Sequence, residues 1–215
     1  MSDALSALGV PVVSGNVSLY NESATRAILP TPVVGMMGLL EQAERSVGHG
    51  FGRDGDVILL VGDDGVLDGS EYARGLGGGM PDIDVRREVA AIELVLDAAD
   101  EGLLRSAHDV SGGGLAVALA ESALAGGIGA TLRLESGPRV DEALFGEGGG
   151  RMLLSVADLT VAAELDERAP EGVRFRVVGT VGGDSLTAWV GDDETTLSLD
   201  DARDAYERGL PEALA

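Results

Sequence analysis

Asp56-Val57-Ile58-Leu59-Leu60-Val61-Gly62 constrains this sequence more than any other stretch. A short, continuous apolar run bounded by turn residues is the pattern of a buried strand, and a buried strand needs a sheet around it. Further runs of strand length follow at Ala130 to Leu134, Met152 to Val156, Val173 to Val181 and Leu186 to Val190. Val173-Arg174-Phe175-Arg176-Val177 alternates strictly, as a sheet with one wet face should. Between the strands, Val89, Ile92, Leu96, Ala99 and Leu103 recur at spacings of three and four, which predicts one helical face. Ala107 to Gly114 reads as a strand end and glycine turn opening a second helix, with Leu115, Leu119 and Ala123 on its apolar side. Asp200 can cap a last helix over residues 201–209, ending at Gly209 before Pro211. The predicted class is α+β: a mixed sheet with helices on one face.

The first fifty residues differ. Gly9 to Tyr20 is apolar and punctuated by glycine, and Ile28 to Leu40 is a second apolar run containing Pro30 and Pro32. Two such strands have too little partner surface to stand alone, because edge backbone groups need pairing. The opening segment therefore reads as the remnant of a larger domain. A turn-rich patch from Gly48 to Gly55 places the boundary near Gly52, dividing the chain into residues 1–52 and 53–215.

Charge narrows the functions open to such a chain. Thirty-seven Asp and Glu residues face fifteen basic ones, all of them Arg, for a net charge of -22. That balance opposes non-specific binding to nucleic acid or to an anionic membrane. No window resembles a membrane span and the N-terminus lacks the order of a signal peptide, so the expectation is a soluble, cytoplasmic protein. The absence of Lys removes a Walker-type phosphate lysine and a Schiff-base lysine, and the absence of Cys removes disulfides, thiolate metal sites and a cysteine nucleophile. Acidic excess without Lys is the composition expected of a halophile, with an acidic mesophilic protein as the alternative.

Val12-Val13-Ser14-Gly15-Asn16-Val17-Ser18-Leu19-Tyr20-Asn21-Glu22 leads a strand-like run into small and polar residues. Gly15 would let a phosphate or nucleotide approach the backbone, because no Cβ stands in the way. Asn16 presents a neutral amide oxygen, an acceptable ligand for Mg²⁺. Ser18 can donate to a substrate oxygen. On spacing alone the same residues also make a simple turn.

The wider pattern resembles the second half of the phosphoribosylformylglycinamidine synthase large-subunit family (PurL). The resemblance rests on P-V-V-S-G-N-V-S-L-Y-N-E at residues 11–22 and L-P-T-P-V-V-G-M-M-G at 29–38. It continues through G-S-E-Y at 69–72, G-M-P-x-x-D at 79–84, A-H-D-V-S-G-G-G-L-A at 107–116, L-F-G-E at 144–147, and Arg151. It spans nearly the whole chain, and its motifs are specific jointly rather than singly.

The resemblance implies a duplicated AIR-synthase-like architecture, with residues 1–52 ending the second N-terminal domain and residues 53–215 forming the second C-terminal domain. By the same carry-over Gly15 contacts ATP, Asn16 ligates Mg²⁺ and Ser18 contacts the ribonucleotide. The implied reaction activates the formamide oxygen of formylglycinamide ribonucleotide with ATP, after which ammonia displaces phosphate to give the amidine. The family's acid-base histidine and ATP lysine lie in an N-terminal half that this sequence lacks, so no catalytic residue is expected here. The implied partners are that half, a glutaminase subunit (PurQ) that releases ammonia, and a small subunit (PurS).

Three further features have two readings each. His108-Asp109, ahead of Gly112-Gly113-Gly114, marks either a helix start whose backbone N–H groups hold an anion, or a tight turn capped by Asp109. In the family the second repeat can hold a nucleotide without turnover, which makes Asp109 a candidate for an auxiliary site. His49, in Gly48-His49-Gly50, reads as an exposed loop residue rather than a metal ligand. Gly75 to Gly79 and Gly148 to Gly150 read as loops rather than dinucleotide motifs, and Gly148 stands where the family commonly has serine. The alternative to a synthase fragment is a non-catalytic scaffold or auxiliary nucleotide-binding fragment of the same superfamily.

Overall fold

A computed structural model describes residues 2–29, 31–74, 83–135 and 139–214. The Gly75–Gly79 cluster, Pro30, and positions 79–82 of the G-M-P-x-x-D motif lie outside the described residues. Contacts divide the chain into two compact units, Met1–Glu44 and Arg45–Ala215.

In the first unit helix α1 spans Ser2–Ala7. The two expected strands form no ladder among the described residues; the chain there is irregular, with one isolated bridge between Glu22 and Ala27. The physical reason is the one that made them look unfinished. Val13, Leu19, Val33 and Met37 are each more than 90% exposed, so nothing in the unit supplies the partner edge or the apolar cover that a strand needs.

The second unit is built from β1 (Val57–Val61), α2 (Val85–Asp100), β2 (Leu104–Asp109), α3 (Gly114–Gly126) and β3 (Ala130–Leu134). These are followed by α4 (Val140–Phe145), β4 (Met152–Val156), α5 (Leu159–Glu167), β5 (Phe175–Val181), β6 (Ser185–Val190), β7 (Asp193–Ser198) and α6 (Leu199–Ala213). The strands form one mixed sheet in the order β2-β4-β1-β5-β3-β6-β7, in which only the β3–β6 pair is parallel. No helix among the described residues is long and apolar enough to cross a membrane.

The α+β class and the mixed sheet are as expected, but helices cover both faces rather than one. Ile58 and Leu60 of β1 face a core shared with α3, α4 and α6, while Val57, Leu59 and Val61 face a second core closed by α2 and α5. The unbroken apolar run of β1 already required this. Side chains alternate across a strand, so five apolar residues in a row need cover on each side.

Two helices depart from the sequence reading. The packed face of α2 is Ala91, Leu94, Val95 and Ala98, whereas Leu96 is 60% exposed and Ile92 38%. The helix carries two apolar stripes, and the one containing two alanines allows the closer approach to the sheet. Helix α6 is capped not by Asp200 but by Ser198, whose hydroxyl accepts from the Asp201 N–H at 3.1 Å. It then runs through Gly209 and Pro211 to Ala213. Pro211 is tolerated because this end is exposed, so the carbonyl it leaves unpaired meets water, and Arg208–Glu212 at 2.8 Å braces the same turn.

Strand β5 shows why strict alternation ended early. Its register against β1 slips between Ile58 and Leu59, which pair with Gly179 and Val177, so Val178 is bulged. The bulge flips the faces: Phe175 and Val178 are buried and Val177 is 51% exposed.

Candidate functional site

Sequence segments far apart in the chain meet at one rim of the second unit. Beyond β1 the chain turns at Gly62, with φ +92, and a Cβ at Gly65 would overlap the Gly146 carbonyl. That close approach sets up the bridge between Val66 and Glu147: each backbone N–H donates to the other's carbonyl at 2.9 Å. The Ser70 hydroxyl donates to Leu67 O at 2.7 Å and fixes the following turn. Tyr72 then stacks nearly parallel on Phe145, with ring centroids 4.8 Å apart.

One carboxylate joins these segments. Oε1 of Glu147 accepts from the Glu71 N–H at 2.9 Å and from the Gly113 N–H at 2.8 Å. Gly113, with φ +89, is the N-cap residue of α3, and Gly114, with φ +70, is pressed against Phe145 so closely that a Cβ would overlap its backbone. These two glycines are required by geometry rather than tolerated. The expected Asp109 cap is thereby corrected: Asp109 ends β2, four residues before the cap, and Glu147 from another loop neutralises the helix start.

Arg151 lies beneath the same loop. Its residue exposure is 4%, its guanidinium donates to Gly146 O at 2.7 Å, and its backbone carbonyl accepts from Val110 N–H at 2.9 Å. Burial, aided by the nearby Arg176 charge and opposed by Asp64, pulls its pKa down to about 10. Glu88, against Gly149 and Gly150, is raised by burial first, with Arg87 opposing and Asp84 adding to the rise.

Asp109 itself stands on the rim, its side chain 72% exposed. Burial pushes its carboxyl up, but the Ser111 hydroxyl, its own backbone N–H and His108 outweigh it and hold the group below the ordinary aspartate value. Beside it opens a cleft of about 500 Å³ lined by residues that include His49, His108, Glu121, Arg203, Tyr206 and Glu207. His108 Nε2 is 3.0 Å from Glu121 Oε2. His108 Nδ1 lies 3.3 Å from Asp109 Oδ1 without hydrogen-bond geometry. His49 is exposed as expected, yet its ring meets the His108 ring edge-on at 5.2 Å. Sequence separation hid this pair.

Gly15, Asn16 and Ser18 all lie in the first unit and all are exposed. Among the described residues, no atom beyond Gly15 and its chain neighbours comes within 4 Å of where a Gly15 Cβ would stand. The Ser18 carbonyl accepts from Asn21 Nδ2 at 3.0 Å, and no side-chain hydrogen bond forms at Asn16 among the described residues. As a donor, the Asn16 amide oxygen suits Mg²⁺, a hard cation that takes oxygen ligands and keeps several waters. It is nevertheless a single ligand, and among the described residues no group of three or more His, Asp or Glu residues is placed to hold a metal ion.

Residues 53–191 match the family model described as AIR synthase related protein, C-terminal domain. The whole chain is similar to the phosphoribosylformylglycinamidine synthase subunit PurL of Moorella thermoacetica, at 45% identity over 221 residues, and spans 30% of that relative's length. The fold is similar to solved forms of T. maritima PurL. The form complexed with FGAR gives a TM-score of 0.64 at 23% identity over 74% of this chain and 30% of that one. The form complexed with AMPPCP gives 0.69 at 21% over 94% and 34%. The PurLQS assembly from Thermotoga maritima gives 0.66 at 20% over 93% and 34%.

Proposed function

The chain belongs to the AIR synthase related protein family, whose C-terminal domain it carries over residues 53–191, and from that premise we propose that it forms the C-terminal part of a phosphoribosylformylglycinamidine synthase large subunit. The complete enzyme is in this reading a cytoplasmic ATP-dependent C–N ligase of purine biosynthesis. It converts formylglycinamide ribonucleotide, ATP and ammonia to formylglycinamidine ribonucleotide, ADP and phosphate. Residues 1–52 end the preceding N-terminal domain, and residues 53–215 are the C-terminal domain. The N-terminal half supplies the acid-base and ATP-binding groups, PurQ the ammonia, and PurS the remaining subunit, consistent with the PurLQS assembly of the T. maritima relative.

The observation that carries this reading is the convergence on one rim of the G-S-E-Y, A-H-D-V-S-G-G-G and L-F-G-E segments with Arg151. Residues scattered from 69 to 151 are tied by the Glu147 carboxylate and the Val66–Glu147 bridge. In the first unit Gly15 lets ATP approach the backbone, Asn16 offers an oxygen to Mg²⁺, and Ser18 donates to the ribonucleotide. Such a surface holds reactants in place while another part of the protein moves protons, the division of labour that phosphoryl transfer permits. Mg²⁺, when bound, neutralises charge on the transferring phosphoryl oxygens.

Mixing this chain with a separately produced N-terminal half and supplying ammonium, ATP and substrate is expected to restore amidine synthesis, while the chain alone shows none. No turnover from the mixture, with an N-terminal half that is active beside its own C-terminal half, overturns the reading.

We also propose that the protein works in a salty cytoplasm. With a net charge of -22, self-repulsion destabilises the compact state and dissolved ions screen it. The thermal midpoint is expected to rise by about 5 °C between 0.1 and 2 M KCl, on the order of 1–2 kcal/mol for a chain of this size. A midpoint that is flat or falls over that range refutes the adaptation.

A further inference from the structure

We propose that the sheet face formed by β3, β6 and β7 is a docking surface for a second copy of this chain, the two related by a two-fold axis along β6. The core closed by α2 and α5 draws on β1, β2, β4 and the start of β5, and takes no residue from β3, β6 or β7. The opposite side of those strands is closed: Ala130, Leu132, Leu186, Ala188 and Val190 are buried in the core shared with α3, α4 and α6. Alternation along each strand therefore sends the residues between them to the other face. Register arranges that face in two rows. Thr131 pairs with Thr180 of β5 and Thr187 of β6, and Thr187 with Thr196 of β7, so four threonines stand side by side across four strands. The Thr187 and Thr196 hydroxyls meet at 3.1 Å. Two residues further along, Arg133 pairs with Trp189, and Trp189 with Glu194. The Arg133 guanidinium lies over the indole, 5.0 Å from its centroid. Thr180, Thr196, Arg133 and Glu194 are exposed, and Thr131, Thr187 and Trp189 are half-buried.

Charge and arrangement together select the occupant. The chain carries 37 acidic residues against 15 basic ones, yet the two rows hold one Arg and one Glu. A chain with a net charge of -22 repels its own copy wherever the acidic excess is displayed, and these rows do not display it. Neighbouring strands are about 4.8 Å apart, so Arg133 and Glu194 stand roughly 10 Å from each other across Trp189. Neither forms an ion pair among the described residues. A two-fold axis along β6, midway between two such faces, sets Arg133 of each copy opposite Glu194 of the other. The same axis sets Trp189 against Trp189, Thr187 against Thr187 and Thr131 against Thr196. Both rows match in one placement, which is the self-complementarity an isologous contact requires. The strands of the two sheets then run in near alignment, the common way for sheets to pack face to face. The rows cover roughly 20 Å by 15 Å, well below the ~800 Å² per partner of a standard interface, so the pairing is weak and reversible.

The test is sedimentation equilibrium on the full chain, beside its tryptophan emission, in about 0.5 M KCl, where long-range repulsion is screened and contacts between touching charges persist. Trp189 is the chain's single tryptophan, so its emission reports this face directly. The mass is expected to rise from one copy toward two between about 10 µM and 1 mM, the range of a small interface, with the emission shifting over the same range. Glu194→Arg and Arg133→Glu are each expected to weaken association about tenfold or more, because each sets like charges opposite one another at two symmetric places. The double variant, Arg133→Glu with Glu194→Arg, restores the pairs in reverse and is expected to recover the association.

Glu194→Arg is the cleaner single change, since Glu194 is exposed on an edge strand and its replacement leaves Arg133 over the indole. A chain that stays a single copy up to the highest concentration overturns the proposal. So does association that both single variants leave undiminished, which assigns the pairing to the exposed apolar residues of the first unit. A double variant no better than the single ones overturns it as well. An emission shift brought about by the separately produced N-terminal half, and not by the chain's own concentration, gives the face to that half and refutes a second copy. None of these readouts depends on turnover, so the docking face and the proposed activity can fail separately.

Discussion

Asn16→Ala in the reconstituted synthase is expected to lower ammonia-dependent turnover about 100-fold, the scale seen when one positioned polar group is removed from an active site, and to leave the thermal midpoint of the chain unchanged. The two halves of that expectation come from one observation. Asn16 is exposed and its side chain makes no hydrogen bond among the described residues, so folding does not depend on it. Anything its loss costs must arise when reactants bind. Steady-state kinetics beside calorimetry separates the cases. Unaltered kcat/KM removes Asn16 from the site, and a fallen midpoint would assign the loss to folding instead.

Leu115→Ala is expected to destabilise the second unit by about 3 kcal/mol. Leu115 is fully buried in the first turn of α3, in the core that also holds Phe51, Ile58, Leu132 and Leu153. Removing its branched end opens a cavity where the helix meets the sheet, one residue beyond Gly114. Leu96→Ala on α2 is the matched control: with 60% of that residue exposed, the change is expected to stay within about 0.5 kcal/mol. Urea denaturation of both variants measures the contrast. A loss below about 1 kcal/mol at Leu115 would mean that α3 is not anchored there.

The Leu96 control marks a point where the sequence was ambiguous. Helix α2 offers two apolar stripes, and periodicity alone cannot say which one a sheet will take. Leu94 and Val95, flanked by Ala91 and Ala98, won because small residues let the helix sit close, leaving Ile92 and Leu96 outside. By contrast Leu115, Leu119 and Ala123 were legible as the packed side of α3, and all three are buried there. Strand β7 escaped notice for another reason. Asp193-Glu194-Thr195-Thr196-Leu197-Ser198 has almost no apolar content, and it is a strand because β6 offers it an edge.

The rim divides in the same way. The motif residues Asp109, Gly113, Gly114, Glu147 and Arg151 were visible in the sequence, and the glycines announced tight turns. Nothing local signalled that Glu147 would cap a helix 34 residues earlier or that His49 would meet His108. A signal was present in retrospect: a helix start led by glycines lacks a capping side chain, so an acceptor has to come from elsewhere.

By itself the sequence determined what depends on neighbours along the chain: the strand-length apolar runs, the apolar side of α3, the glycine turns, the acidic balance and the family resemblance. Tertiary structure alone decided which stripe of α2 is buried and that Glu147 is the anion at the start of α3. The reason is physical. Propensity and periodicity act over a few residues, whereas burial and hydrogen-bond satisfaction are settled between surfaces that the sequence does not place side by side.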